Sequence, residues 1–218
     1  MNIQKPQKIF FEINNIKSIG DLGKEFDSNN SNYSIENALI ENQNIENLEI
    51  YDKDFKVVKF TKTNIINSKL EKITFMDVVF DNCNFSNTSF QGSSFIRCEF
   101  NNCKLSGCNI TDSLQNNVIY KETNATYANF SLSRLSNVLF DNSILRNAYL
   151  EEDVLKNTYF DKADLTMAQI FKTKLKDIDL SNSVIDGIVV SLDDIKGAII
   201  NEYQAIDLIG LIGVKIKK

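Results

Sequence analysis

Residues 75–100 of the chain read FMDVVFDNCNFSNTSFQGSSFIRCEF. Phenylalanine stands at the first residue of this stretch and at every fifth residue after it. This period matches neither the 3.6 residues of a helical turn nor the two-residue repeat of a strand, so either element would scatter the rings over several faces. The stretch therefore predicts a chain that turns every five residues and returns each ring to one interior.

The five-residue period extends from Ile40 to Ile200. Of its 33 central positions only Gln115 is polar, and 11 of the 15 phenylalanines occupy this register. Four turns close a square coil of twenty residues, and coils that pair like strands lie about 4.8 Å apart. The sequence predicts a rod of about eight such coils, roughly 40 Å long. We expect the polar Gln115 to mark a bulge or backbone shift near residues 114–120.

The positions on either side of each centre fit such a coil. Two residues before the centre, 25 of 33 residues are Ala, Ser, Thr, Cys or Val, which suits a second inward position with little room. Two residues after the centre, 12 are Asn, four are Asp and four are Gly. These three residue types tolerate the left-handed backbone that tight corners require.

The four cysteines all occupy the small inward position, at Cys83, Cys98, Cys103 and Cys108. Their gaps of fifteen, five and five residues do not match zinc-ligand spacings, so we interpret them as small core residues and expect no metal. Cys83 and Cys103 lie one coil apart, but a disulfide is not expected in a reducing compartment.

No catalytic residue and no cofactor site emerge from the sequence. The chain contains no histidine, and it lacks the glycine-rich phosphate motifs and the nucleophile elbow. The net charge of −5 does not steer the chain toward nucleic acid, and no apolar run approaches the roughly 18 residues of a membrane helix. Without a secretory signal pattern, the chain is expected to be a cytoplasmic protein. Without a recognisable set of catalytic residues, it is not expected to be an enzyme.

The two ends depart from the repeat. Residues 1–35 are predicted to form an N-terminal cap or a flexible arm, residues 36–200 the repeat, and residues 201–218 a helix and tail. Asn201 is a suitable helix N-cap and Gly213 a suitable stop. An apolar arc on this helix is predicted to close the last coil; it contains Ala205, Ile206, Leu208, Ile209 and Ile212.

Four further apolar residues near the C-terminus fall outside that arc: Tyr203, Leu211, Val214 and Ile216. A plug needs one apolar side only, so a second side predicts a homodimer through this end. The alternative is that these residues fold back on their own chain.

One face carries the candidate partner-binding residues. Its central residues are Ile40, Phe60, Phe80, Phe100, Tyr120, Phe140, Phe160, Leu180 and Ile200. Eight acidic and four basic side chains flank these centres, and we call it the acidic face. The residue before each centre should point outward, and on this face the apolar ones include Val79, Ile119, Leu139, Tyr159 and Ile199. The first four are the candidate partner-binding residues. Glu99 and Asp179 bracket Ile119, Leu139 and Tyr159, which predicts an apolar ridge rimmed by charge, as in interface cores. The alternative is the ordinary scatter of exposed apolar residues.

Segments such as Ala163-Asp164-Leu165 and Cys83-Asn84-Phe85 resemble the repeats of the pentapeptide-repeat family. The resemblance implies an all-β fold, the right-handed quadrilateral β-helix, here with a short C-terminal α-helix and an N-terminal cap. The family pattern covers residues 36–200.

The stretch from Gln204 to Val214 is also similar to the tail of the Qnr and MfpA proteins. Those proteins dimerise through that end and bind DNA gyrase, and they are proposed to mimic DNA. The resemblance implies gyrase as a protein partner. Qnr proteins carry projecting loops that interrupt the repeat, and the unbroken register here shows none unless its length is a multiple of five. MfpA-like members lack such loops, so their absence is compatible with gyrase binding. A 40 Å length of duplex DNA carries about 24 charges, far more than the acidic face, so a scaffold or adaptor for another protein is the alternative.

Overall fold

The computed structural model describes residues 34–215, and most of them form the predicted β-helix. Two of its four faces and the corner between them form one parallel sheet in the order β1–β4–β7–β8–β9–β10–β11. These strands are β1 (Ser34–Glu41), β4 (Asp54–Thr61), β7 (Thr74–Asp81), β8 (Ser94–Asn101), β9 (Leu114–Lys121), β10 (Arg134–Asp141) and β11 (Val154–Asp161).

The other two faces carry shorter parallel pairs. They are β2 (Asn44–Glu46) with β5 (Asn64–Ile66), β3 (Glu49–Tyr51) with β6 (Lys69–Glu71), and β12 (Gln169–Ile170) with β13 (Val189–Val190). Single bridges such as Asn84 with Lys104 continue these faces between the pairs. Paired residues differ by twenty in every case, which confirms the twenty-residue coil.

The core contains a stack of aromatic rings beneath the acidic face. Ring centroids of successive coils are 4.5 Å apart from Phe80 to Phe100, and 4.8 Å apart both from Phe100 to Tyr120 and from Tyr120 to Phe140. Phe100 and Phe140 are both buried, two coils apart on the same face, as predicted. The spacing of the rings follows the strand spacing, because each ring hangs from the equivalent position of its coil.

The corner prediction is also confirmed. Every residue two after a centre has a positive φ from Asn37 to Asp177, including Gly92 and Gly107. Val57 (φ 56°) and Leu132 (φ 64°) adopt the same conformation although their side chains disfavour it. The coil geometry therefore overrides local preference at these two corners.

The small inward residues satisfy buried backbone carbonyls. The hydroxyl of Thr88 donates to the carbonyl oxygen of Ile65 over 2.8 Å, and the hydroxyl of Thr123 donates to that of Phe100 over 3.0 Å. The cysteines occupy equivalent places, and the Cys108 thiol lies 2.9 Å from the carbonyl oxygen of Phe85. Their prediction as small core residues is confirmed, and all four are buried free thiols.

The prediction of a defect at Gln115 is wrong. Gln115 is buried within β9, in regular register with Phe95 on one side and Leu135 on the other. Its amide nitrogen donates to Ser113 Oγ over 3.0 Å, and its amide oxygen accepts from the Tyr120 hydroxyl over 3.0 Å. The backbone stays regular because the polar atoms of the side chain find partners inside the core.

The ladder does break, but two coils later. Among the described residues, no strand pairing or backbone hydrogen bond joins residues 154–161 to residues 174–181, and we call this interval the seam. The seam is bounded on one side by Thr173 Oγ1, which accepts from the Asp153 backbone nitrogen over 2.9 Å. On the other side Ser183 Oγ donates to the Phe160 carbonyl oxygen over 3.0 Å. Leu155 is the one central residue between Ile50 and Val190 that is not fully buried.

The last coil contains a short helix α1 (Leu192–Ile195), and a second helix α2 (Glu202–Leu208) continues into a 3-10 turn (Ile209–Ile212). Asn201 caps α2, and Gly213 ends the turn with φ 75°, both as predicted. Gln204 is buried, and its amide nitrogen donates to the carbonyl oxygens of Leu180 and Ser183. The plug therefore covers the open end with a polar side chain as well as apolar ones.

The structure corrects the predicted division of this helix. Leu208 and Leu211 pack against the core, whereas Ile206 and Ile212, assigned to the plug, are exposed. The reason is the 3-10 turn, in which residues three apart lie on the same side, so Leu211 follows Leu208. At the other end β1 already begins at Ser34, and Ile35 is buried beneath the first corner. The predicted N-terminal cap otherwise lies outside the described residues.

Candidate protein-binding surface

The predicted ridge residues lie side by side on the acidic face. Leu139 is the register partner of both Ile119 and Tyr159, and Glu99 is the partner of Ile119 on the next strand. All three apolar side chains are half-buried, whereas Val79 is separated from them by Glu99. The structure therefore brings Ile119, Leu139 and Tyr159 into one strip and leaves Val79 two coils away from Ile119.

Ile119 and Leu139 of this strip form part of one wall of a groove that runs along the rod. The groove encloses about 640 Å³ and spans four coil steps, or roughly 19 Å. The residues before each centre form the first wall, and the residues after each centre form the second. The lining comprises Lys59, Val79, Glu99, Ile119 and Leu139 on one side and Asp81, Asn101, Asn102, Lys121, Glu122 and Asp141 on the other.

The two walls differ in chemistry. The first is apolar apart from Lys59 and Glu99, and the second consists of polar and charged side chains. Lys59 Nζ lies 3.6 Å from Asp81 Oδ2, so the lysine compensates the charge of this carboxylate at the end of the groove nearest the N-terminus. Four acids and two bases line the groove, so its electrostatic balance is negative.

A smaller pocket of about 140 Å³ continues the same strip at the seam. It is lined by Tyr159, Phe160, Asp161, Asp179 and Asn182, and we call it the seam pocket. It exists because the ladder is open between the strand that carries Tyr159 and Asp161 and the coil that carries Asp179. Sequence reasoning placed Asp179 beside the ridge but gave no sign of the opening.

Asp179 is held in a fixed orientation in this pocket. Its Oδ1 accepts from the backbone nitrogen of Ser181 over 2.9 Å and from the Ser181 hydroxyl over 2.6 Å. These two hydrogen bonds, of which the hydroxyl contributes most, lower the pKa of the Asp179 carboxyl. The group is therefore ionised at neutral pH and keeps its second oxygen available.

A buried polar chain in the core is the feature that sequence reasoning missed. It runs from the Tyr120 hydroxyl through Gln115 to Ser113 Oγ, which lies 3.0 Å from Ser133 Oγ. The Ser133 backbone nitrogen donates over 2.7 Å to Asp153 Oδ1, while Asp153 Oδ2 is buried without a hydrogen-bond partner in the described chain. Burial raises the pKa of Asp153 to about 8. The sequence signal for this buried chain was Asp153, an acidic residue at an inward position that usually carries a small side chain.

Three of the four buried cysteine thiols are unsuited to nucleophilic chemistry, whereas a hydrogen bond with the Cys103 thiol lowers the pKa of Cys83. Burial raises the pKa of Cys98 and of Cys108 to about 12, so neither forms a thiolate at neutral pH. The neighbouring Cys83 thiol and burial both raise the pKa of Cys103. Within residues 34–215 no three acidic, cysteine or histidine side chains are grouped as metal ligands, and no helix there has the length and apolarity to cross a membrane.

The residues predicted for dimerisation separate into three groups. Tyr203 is 74% exposed and Val214 is also exposed, so both are accessible to a second molecule. Leu211 packs against the core and belongs to the plug instead. Ile216 lies outside the described residues.

Comparison with known proteins gives matches for the repeat. The sequence model of the "Pentapeptide repeat region" matches residues 73–150, and that of "Pentapeptide repeats (8 copies)" matches residues 133–177. The comparison with curated proteins finds no match.

Several solved structures are similar. A trypsin-treated variant of QnrB1, a plasmid-mediated fluoroquinolone resistance protein, is 18% identical; the match covers 87% of this chain and 95% of that one, with a TM-score of 0.41. HetL, a pentapeptide repeat protein involved in heterocyst differentiation regulation from the cyanobacterium Nostoc sp. strain PCC 7120, is 14% identical, with coverages of 85% and 98% and a TM-score of 0.39. Both sequence models fall inside the twenty-residue coils, and they identify residues 73–177 as pentapeptide repeats.

Proposed function

We propose that the chain is a non-enzymatic β-helix that binds a protein partner along the groove of its acidic face. The observation that carries this proposal is the strip of Ile119, Leu139 and Tyr159 on three consecutive strands. Isolated exposed apolar residues need no explanation, but here three neighbours form a continuous strip. Ile119 and Leu139 line a groove whose other wall is polar, and Tyr159 lines the adjoining seam pocket. An apolar centre with a charged rim is the composition of protein interfaces.

The chemistry of the groove favours a protein over other ligands. Its negative balance repels phosphate groups, which disfavours nucleic acid. It is a long surface groove rather than a concave site that buries most of a small molecule. The lack of histidine and the buried thiols of the four cysteines support a binding role without catalysis.

DNA gyrase is the first partner to test within this proposal. The C-terminal stretch from Gln204 to Val214 is similar to that of Qnr and MfpA proteins, which bind gyrase. With only four acids and two bases along the groove, the apolar strip would contribute more to recognition than charge mimicry. The alternative is a scaffold or adaptor that binds a protein unrelated to topoisomerases.

The proposal also includes a homodimer in the cytoplasm. The exposed side chains of Tyr203, Ile206, Ile212 and Val214 support a contact between two copies at the C-terminal end. Four free thiols favour a reducing compartment.

The test is a pull-down from the cytosol of cells that produce the chain, with gyrase probed directly. The Leu139→Lys/Tyr159→Lys double variant should lose the partner, because two charges then interrupt the apolar strip. Leu114→Lys/Val154→Lys is the matched control, since these exposed apolar residues lie on the adjacent face. Circular dichroism and thermal melting verify that both variants fold. If the Leu139→Lys/Tyr159→Lys variant retrieves every partner of the wild type, the groove is not the binding site.

A further inference from the structure

We propose that the segment of the partner bound in this groove has an aliphatic edge and ends on an arginine, whose guanidinium occupies the seam pocket. The inference rests on the proposed function and specifies the chemistry of the partner. Three observations support it: the opening at the seam, the carboxylates of Asp161 and Asp179 with the ring of Tyr159 around that opening, and the continuity of the opening with the groove.

The opening is a consequence of the broken ladder. Elsewhere on this face each strand is covered by the next, so that β10 lies between β9 and β11 in continuous register. After β11 the pairing stops, and a volume of about 140 Å³ remains between Phe160 and Asp179. Thr173 and Ser183 bind across the seam at its two ends, so the opening is framed by hydrogen bonds. A side chain can enter there without displacing a coil.

The acidic side chains around the opening favour a bound cation. Asp161 and Asp179 both line the pocket, and no ion pair within the described chain joins either of them to a basic side chain. Asp161 is also the direct register partner of Asp141, a like-charge pair that destabilises a sheet. A cation from a partner would relieve this repulsion and pair with the free oxygen of Asp179.

The ring of Tyr159 selects the kind of cation. A guanidinium is planar, stacks on aromatic rings and presents several donors to carboxylates at once, whereas an ammonium is a compact and strongly hydrated charge. A calcium ion would require six to eight oxygen ligands, and the pocket presents two carboxylates and one amide around an aromatic ring. Arginine is the protein side chain that matches both the ring and the carboxylates.

The pocket and the groove share one wall. Tyr159 lines the pocket and is the register partner of Leu139, which lines the groove. A segment that packs aliphatic side chains on Ile119 and Leu139 therefore reaches the pocket within one coil step, about 4.8 Å further along the rod. This continuity fixes how the partner segment lies along the rod. Its aliphatic residues contact Ile119 and Leu139, and its arginine lies at the end nearest the C-terminal cap of this chain.

The experiment is a selection from a random 16-residue peptide library on the immobilised full-length chain. Peptides are counter-selected against the Leu139→Lys/Tyr159→Lys variant, and the enriched ones are measured by fluorescence anisotropy. We expect an arginine beside aliphatic residues. Replacing that arginine with alanine should weaken binding about tenfold or more, and with lysine less.

Variants of the chain locate the arginine. Asp161→Asn and Asp179→Asn keep the side-chain shape, and an asparagine at 179 still accepts the hydrogen bonds of Ser181. Each substitution should weaken binding of the peptide that contains arginine and have much less effect on binding of its alanine version. The substitution in the chain and the substitution in the peptide are then coupled in a double-mutant cycle. Asp186→Asn, an exposed acid on another face, is the matched control and should leave the affinity unchanged.

The outcomes separate the inference from the proposed function. Enriched peptides that need Leu139 and Tyr159 but lack arginine, or whose arginine shows no coupling to Asp161 and Asp179, overturn the inference and leave the groove as a binding site. A selection that yields no peptide dependent on Leu139 and Tyr159 contradicts both. Coupling of the arginine to Asp179 with no effect of Asp186→Asn supports both.

Discussion

The hydroxyl of Tyr120 donates a 3.0 Å hydrogen bond to the amide oxygen of Gln115 inside the core, between the centres of two adjacent faces. Burial raises the pKa of Tyr120 well above its usual range, so the phenol remains a donor at all ordinary pH values. The pair explains how the one polar residue among the centres is accommodated: each side chain satisfies the other where water does not reach.

Gln115→Leu should therefore destabilise the protein even though leucine is the usual residue at a centre. It leaves the buried Tyr120 hydroxyl without its acceptor, which costs about 1–3 kcal/mol. Tyr120→Phe should cost a similar amount because it leaves the Gln115 oxygen unsatisfied. The double variant should lose less than the sum, as measured by chemical denaturation in a double-mutant cycle. Strictly additive losses would mean that the hydrogen bond contributes nothing.

Asp153 should make stability fall as the pH rises. Its pKa is about 8 in the folded chain against 3.8 in the reference state, so the unfolded chain loses this proton first. The contribution of Asp153 to the free energy of unfolding is fully present below about pH 4 and declines between about pH 4 and pH 8. Above about pH 8 it changes no further.

Asp153→Ser should remove this dependence and raise the free energy of unfolding above pH 7. Serine occurs at the equivalent positions 113 and 133 and can still accept the hydrogen bond from the Ser133 backbone nitrogen. Denaturation curves of both proteins between pH 4 and pH 9 make the comparison. Equal pH dependence of the two proteins would show that Asp153 is not the group responsible.

Val57→Asn should stabilise the protein by about 1 kcal/mol. Val57 has φ 56°, where a β-branched side chain is strained and asparagine is tolerated. The matched control is Val154→Asn in the extended strand β11, where no gain is expected. Thermal and chemical denaturation measure both variants, and an equal effect at the two sites would contradict the explanation by backbone conformation.

Phe100→Asp should prevent folding, whereas Phe100→Leu should be tolerated. Phe100 is buried between Phe80 and Tyr120, so a carboxylate there would be an unpaired buried charge. Leucine keeps the apolar contact and costs only part of the roughly 3–5 kcal/mol of a complete truncation to alanine. A soluble Phe100→Asp protein with an unchanged melting temperature would refute the stacked core.

The dimer proposal predicts different results for two substitutions close together in sequence. Tyr203→Asp with Ile212→Asp should give a folded monomer by light scattering, because both side chains are exposed. Leu211→Asp should instead lower the melting temperature, because Leu211 packs against the core. A wild type that is monomeric at high micromolar concentration would contradict the dimer.

The sequence by itself determined the coil. A central apolar residue, a small residue before it and a corner residue after it repeat every five positions, and each coil needs only its neighbours to bury its core. The aromatic stack, the positive φ angles of the corners and the inward thiols follow from this local pattern. The helix cap at Asn201 followed from local chemistry as well.

Only the tertiary structure decided the exceptions. Gln115 is tolerated because Tyr120 and Ser113 lie within hydrogen-bonding distance, which depends on how adjacent faces meet. Leu211 faces the core because a 3-10 turn replaces the α-helix after Leu208. The seam opens where pairing between coils fails although the five-residue pattern continues unbroken through Leu155 and Phe160. Whether a coil pairs with the next depends on contacts between residues twenty apart, and a pattern with a period of five carries no information about them.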